Sequence, residues 1–363
     1  MYVAPPKPGI IPLRPLQFGE FLDGAFQTIR RNAASMVGSA LIVQAVSGIV
    51  TGVLTMAVLP AMESLQSVNR RADLDSFLGP VVGFLAAIFG VVILTTVLGS
   101  VLQGVFAVPV SRSVLNRRTG FRQMWKLAAR QIWPLLGVAA LLTFVGLLAV
   151  AAVVGVAVLL IMSMGPAGIG LAVPLWIGAI VLFVWIGLKL MFAPAAIVVE
   201  RVGVYDGLLR SWQLTRNSWW RILGISLVVA IMVGVIGNVV QIPVSLATEG
   251  VGTVFSPHPD ASSTGSGLLL ATVISTIVAV LVGSVTFAFQ TSVTALIYVD
   301  LRMRREGLDV ELMRLMETGA DPDGVPGEPR APGVGMQWPP HGGSWPAPGS
   351  PVPDGPYGPR PPV

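Results

Sequence analysis

The chain has 363 residues, of which 53% are hydrophobic and 11% charged, with no cysteine and a formal net charge of +5; its mean hydropathy is +0.77. Globular domains carry about 25% charged residues, so this composition excludes an ordinary soluble fold, and the lack of cysteine excludes disulfides, thiolate metal sites and a cysteine nucleophile. Apolar runs longer than the ~18 residues that a helix needs to cross ~30 Å of hydrocarbon recur along the chain, which predicts an all-α integral membrane protein.

The first 17 residues are proline-rich, with Pro5, Pro6, Pro8, Pro12 and Pro15. The first apolar run begins near Ala34, too deep and too long for a cleaved secretory signal. Between them Phe18, Phe21, Leu22, Ala25, Phe26 and Ile29 recur at helical spacing, with Glu20, Asp23, Gln27 and Arg30 elsewhere, which predicts an amphipathic surface helix. Two spans follow, at 34–59 and 77–110. The same stripe returns at Phe121, Met124, Trp125, Ala128 and Ile132 ahead of spans at 132–162 and 168–192. A third copy, Tyr205, Leu208, Leu209 and Trp212, precedes spans at 222–246 and 268–299. Pro60, Pro166, Pro194 and Pro257 help to delimit the runs, because proline ends or kinks helices. The membrane domain therefore occupies 18–316. The remaining 317–363 is rich in proline and glycine and is expected to stay disordered, sampling extended polyproline conformations.

An aromatic residue, a cation and a glycine announce each hairpin: Phe26/Arg30/Gly38, Trp125/Arg130/Gly137 and Trp212/Arg216/Gly224. Because the copies share one orientation, the six spans form three parallel-repeat hairpins about an axis near the membrane normal. Each even span closes on a cation and a glycine, in Arg117-Arg118-Thr119-Gly120, Glu200-Arg201-Val202-Gly203 and Arg302 through Gly307. Those glycines are expected to take the sharp turn onto the membrane surface. Lys7, Arg14, Arg30 and Arg31 precede the first span, and further clusters lie at 112–130, 201–221 and 302–305. The other side offers Arg70 and Arg71, diluted by Glu63, Asp73 and Asp75, and the connections at 163–167 and 247–267 carry no Lys or Arg. This asymmetry places both termini and all three surface helices in the cytoplasm, in a multi-pass cell-membrane protein.

Several groups of residues are candidates for function. Phe26, Arg30, Trp125, Lys126, Arg130, Trp212, Arg216 and Arg221 form basic, aromatic belts suited to the headgroups of anionic lipids; the same residues could serve as elbows that set the angle of the next span. Gln44, Gln103, Asn238 and Gln290, with Gln241, are amides at membrane depth. Such groups join helices by hydrogen bonds worth ~0.6 kcal/mol on average, or line a substrate path, and a continuous polar cavity would mark the second case. Lys189 is the cation inside an apolar run, close enough to Pro194 and the interface to snorkel outwards. Asp300, Glu306, Asp309 and Glu311 alternate with Arg302, Arg304, Arg305 and Arg314 at spacings that favour ion pairs along a solvated helix rather than a metal site. His258 and His341 are isolated, and no catalytic, cofactor or nucleic-acid motif is evident. The tail from 319 to 363 carries Trp338, Trp345 and Tyr357 and is either a solvated linker or a docking strip for a cytoplasmic protein.

Three stretches carry a family resemblance: Arg14-Pro15-Leu16 through Asp23-Gly24; Glu200 through Gly203 with Asp206 through Arg216; and Tyr298 through Asp309. Over about residues 12–316 the chain resembles actinobacterial proteins of the glycerophosphoryl diester phosphodiesterase membrane-domain type. The resemblance implies a membrane domain that accompanies a soluble phosphodiesterase barrel with two histidines and acidic metal ligands. This chain has neither those histidines in place nor the ~250 residues of α/β pattern that a barrel needs. The expected role is a non-enzymatic scaffold or accessory subunit. The alternatives are a passive or partner-energised carrier of lipids or amphipathic molecules, and the membrane part of a phosphodiester-cleaving system that works with a separate enzyme.

Overall fold

The structure is a computed structural model that describes residues 9–66, 74–255, 261–319 and 323–328. The described residues form helices α1 (Phe18–Arg31), α2 (Ala33–Gln66), α3 (Leu74–Val114), α4 (Phe121–Ala129), α5 (Ile132–Met164), α6 (Pro166–Leu190), α7 (Ala193–Glu200), α8 (Val204–Thr215), α9 (Trp219–Phe255), α10 (Ala261–Glu306) and α11 (Leu308–Thr318). Six spans are long and apolar enough to cross a membrane, with α6 and α7 together making one of them. The protein is an all-α polytopic membrane protein. Its longest helix, α10, has 46 residues, about 69 Å at 1.5 Å per residue, so it extends well beyond the ~30 Å hydrocarbon layer.

Each spanning pair is entered from an amphipathic helix through a short elbow. Asn32 alone separates α1 from α2, residues 130–131 separate α4 from α5, and residues 216–218 separate α8 from α9. Asn32 also ties the first elbow to the connection after α3: its amide nitrogen donates to Ser113 Oγ at 2.9 Å, and its Oδ1 accepts the Thr119 N–H at 2.9 Å. The helices α1, α4, α8 and α11 thus gather at one end of the bundle, termed the base below.

The chain turns at the base do not all use their glycines. Gly307 does adopt a left-handed conformation, at φ +66°. Gly120 and Gly203 instead have extended backbones as the residues capping α4 and α8, and the left-handed residues of those turns are Asn116 at φ +63° and Arg201 at φ +54°. Asparagine tolerates that region well. Arg201 is held there by the structure around it, a context that spacing along the chain does not convey.

Packing is densest at the base. Residues 104–115 of α3 and its end, 192–200 through α7, and 291–303 of α10 are buried without interruption. Helix α6 stops at Leu190, and after Met191 and Phe192 the chain resumes as α7 with Pro194 in its first turn. Proline lacks the N–H that would continue the ladder, so this span is broken where the sequence suggested that it ends. Away from the base, Phe144, Leu148, Leu159, Val181 and Leu182 are exposed, a large apolar surface of the kind that lipid covers.

The α5–α6 hairpin depends on a close backbone approach at Gly168, where an added Cβ would lie 2.1 Å from the Leu160 carbonyl oxygen. Gly168→Ala is therefore expected to destabilise the protein by about 1 to 2 kcal/mol through overpacking. Gly170→Ala, with no atom within 4 Å of the new methyl, should be neutral. Thermal unfolding of both variants in detergent checks the difference.

Candidate functional site

Three polar assemblies are built into the base. The first centres on Glu200, the last residue of the wholly buried helix α7. Tyr298 on α10 donates its hydroxyl to Glu200 Oε1 at 2.6 Å. Arg210 on α8 reaches Glu200 Oε2 through Nε and Glu306 through Nη2, both at 2.7 Å. Arg302 lies 3.7 Å from Glu200 and 3.0 Å from Glu306. Two guanidiniums therefore balance two carboxylates. Burial would lower the Arg210 pKa, but the hydrogen bond to Glu200 and the charges of Glu200 and Glu306 outweigh it and hold that pKa above its ordinary value.

The second assembly surrounds Asp300, which is 1% exposed. Its Oδ1 accepts the Leu16 N–H at 2.7 Å, and its Oδ2 lies 2.9 Å from Arg304 Nε and 3.0 Å from Arg221 Nη1. Arg221 and Arg304 also donate to the Leu16 carbonyl, at 2.7 and 3.1 Å. The N-terminal segment is clamped in this way, with Ile10, Ile11, Leu13 and Leu16 all buried. The solvated helix expected for Asp300 is thus corrected. The i,i+4 pairs Asp300–Arg304 and Arg302–Glu306 do form, but α1 and residues 9–16 cover this turn of α10 and make its carboxylate internal.

The third assembly binds a piece of the tail. Arg112 on α3 donates from Nη1 to the carbonyls of Asp323 and Gly324, both at 2.7 Å. Arg302 donates to the Gly327 carbonyl at 2.8 Å, and Arg201 pairs with Glu328 at 2.5 Å. Val325 is buried beside them. Residues 323–328 are therefore packed against the helices, not part of a disordered tail. Residues 317–318 belong to α11, while 329–363 lie outside the described residues.

The belt residues divide into two sets. Phe26 is 60% exposed, and Arg30, Lys126, Arg130 and Arg216 are exposed as well. Trp125 is half-buried and donates from Nε1 to Ser39 Oγ at 3.1 Å. Arg221, expected at the headgroups, is spent on Asp300 and Leu16. Lys189 is 8% exposed and does not snorkel into solvent. Its ammonium lies 5.0 Å from the ring of Trp212 and 5.8 Å from that of Trp185, a cation–π arrangement that compensates part of its desolvation. Trp212 is itself 39% exposed, so one part of its ring covers this lysine and the rest lies at the protein surface.

The four amides do not meet. Gln103 donates to the Met191 carbonyl at 3.0 Å, satisfying a backbone group freed by the α6–α7 break. Gln44 is half-buried beside Gly283. Asn238 is exposed and bonds Gly234 of its own helix, and Gln290 is also exposed, so the expectation of buried contacts fails for both. A side-chain amide can always turn back to a carbonyl one helical turn earlier, which hydropathy does not register. A cavity of about 340 Å³ does lie between α3, α5 and α6. Leu142, Val145, Leu182, Phe183 and Ile186 dominate its wall, with Ser100 and Gln103 as the polar members.

A family model described as a domain of unknown function, DUF7847, matches residues 63–301, more than half of the chain. The chain belongs to this family. No curated protein and no solved structure matches it. The DUF7847 region contains Glu200, Arg210, Tyr298 and Asp300 but ends before Arg302, and α1, α11 and residues 323–328 lie outside it. The base is thus completed by segments beyond the family region.

The sequence places Glu200 in a span-closing turn, Arg210 in a basic cluster and Tyr298 in a resemblance stretch, and it marks none of the three as a candidate site residue. One signal was present: Glu200 directly follows the apolar run from Ala193 to Val199, and a carboxylate closing such a run needs a partner when buried.

Proposed function

We propose that this protein is a non-enzymatic scaffold or accessory subunit of the cell membrane, with both termini in the cytoplasm and its base against the anionic inner leaflet. The supporting observation is the division of cations at the base. Arg112, Arg210, Arg221, Arg302 and Arg304 are engaged internally, whereas Arg30, Lys126, Arg130 and Arg216 are exposed on or beside the amphipathic helices α1, α4 and α8. Each exposed cation contributes about 1 kcal/mol of attraction to an anionic surface. The tail beyond Glu328 would then recruit a cytoplasmic protein. By the resemblance carried at 200–216 and 298–309, a soluble phosphodiesterase is the partner class to test.

The full-length protein is expected to unfold at a higher temperature in bilayers rich in anionic lipid than in zwitterionic ones. Changing Arg30, Lys126, Arg130 and Arg216 together to Gln should abolish that difference. Equal unfolding temperatures for the unchanged protein in the two lipids would reject the lipid contact. Recovery of the same proteins with and without 330–363 would reject recruitment by the tail.

The cavity between α3, α5 and α6 favours a second reading, a carrier for lipids or amphipathic molecules. Its apolar wall and the amide of Gln103 suit an acyl chain with a polar end. Transfer of a fluorescent lipid between leaflets of reconstituted vesicles tests it.

A further inference from the structure

One cation from the end of each even span converges on residues 323–328. Arg112 comes from α3, Arg201 from the residue after α7, and Arg302 from the last turns of α10. Arg112 and Arg302 read backbone carbonyls, three in all, and Arg201 reads the carboxylate of Glu328. Sequence-independent contacts hold the backbone, while the charge pair and the buried Val325 select the side chains.

The bound segment has its own defined shape. The Glu328 N–H donates to the Val325 carbonyl at 3.3 Å, closing a turn with Pro326 and Gly327 at its centre. Gly327 has φ +86°, the value required at the third position of a type II turn, and Pro-Gly is the dipeptide that favours it. An added Cβ on Gly327 would also lie 2.9 Å from Arg302 Nη1 and 3.3 Å from Leu308. The turn is preorganised by its sequence and fits a surface assembled from three helix ends.

We propose that the base is a peptide-binding site. Its resident ligand is the chain's own segment 323–328, which it exchanges for a partner segment of the same chemistry: a small apolar residue, a Pro-Gly type II turn and a carboxylate directly after it. In the docked state the tail is tethered at Glu328; exchange releases it. The site uses Arg112 and Arg302, which are buried, and the exposed Arg201, and none of the belt residues that carry the lipid contact.

The chain has no cysteine, so Val325→Cys introduces a single thiol that reports docking in the full-length protein. Its reaction with a maleimide should run about tenfold slower than that of a thiol introduced by Thr318→Cys, an exposed position, because modification must wait for local opening. The free peptide Asp-Gly-Val-Pro-Gly-Glu at millimolar concentration should remove most of that protection, and the same peptide ending in Lys should not. Adding Glu328→Arg should speed labelling about fivefold by opposing Arg201 with a like charge, and combining it with Arg201→Glu should restore protection. Protection unaffected by the peptide would make the segment a fixed clasp and overturn the proposal. So would equal acceleration by the Lys peptide, or failure of the charge exchange to restore protection.

Discussion

Glu200→Ala is expected to destabilise the protein by about 3 to 5 kcal/mol, the cost of breaking a buried ion pair from one side. The carboxylate accepts hydrogen bonds from Tyr298 and Arg210 and pairs with Arg302 at 3.7 Å, and its removal leaves a buried hydroxyl and excess positive charge where three central helices meet. Attraction between the ions contributes less than the penalty of leaving one unmatched, because desolvation has already been incurred by folding. Tyr298→Phe removes the hydroxyl and keeps the charges balanced, so it should cost about 1 to 3 kcal/mol. Glu200→Gln keeps an acceptor for Tyr298 but not the charge and should fall between them. Tryptophan fluorescence during thermal unfolding gives the order, with nine tryptophans as probes. An unfolding midpoint for Glu200→Ala no lower than that of Tyr298→Phe would show that charge balance does not govern the base.

Asp300→Ala should cost somewhat less, about 1.5 to 3 kcal/mol, the range for a hydrogen bond to a charged group. Arg221 and Arg304 are about one-third exposed, and water can take over much of their solvation once the carboxylate is gone. The buried Leu16 N–H loses its acceptor outright. The distinctive outcome is local: amide hydrogen exchange across residues 9–17 should accelerate, while exchange in α5 and α6 stays unchanged. Asp300→Asn retains an acceptor for Leu16 and should protect the segment partly. Uniform acceleration through all helices would mean that Asp300 supports the whole fold and not the N-terminal clamp.

These two carboxylates mark how far the sequence can be read. Both were visible as residues, and Asp300 was assigned ion pairs at the correct i,i+4 spacing. What spacing could not reveal was the Leu16 backbone, 284 positions away, or the bond between Tyr298 and Glu200 across 98 positions. The amides failed for a related reason. Gln103 and Asn238 have the same hydropathy, yet one satisfies a broken helix and the other its own preceding turn. The Pro-Gly turn was legible as low complexity and was assigned to a disordered tail. Its docking depends on Arg112, Arg201 and Arg302, which come together only when α3, α7 and α10 end side by side.

By itself the sequence determined the six spans, the three amphipathic helices that lead into them and the all-α class. Those features follow from the transfer of apolar segments out of water and from helical periodicity, which are properties of each stretch alone. Tertiary structure decided which cations turn inward, where the left-handed turn residues fall, and that both the N-terminal segment and residues 323–328 close the base. Those outcomes depend on pairing charges and backbone groups across hundreds of residues, and a buried charge is tolerated only where the fold brings its partner within reach.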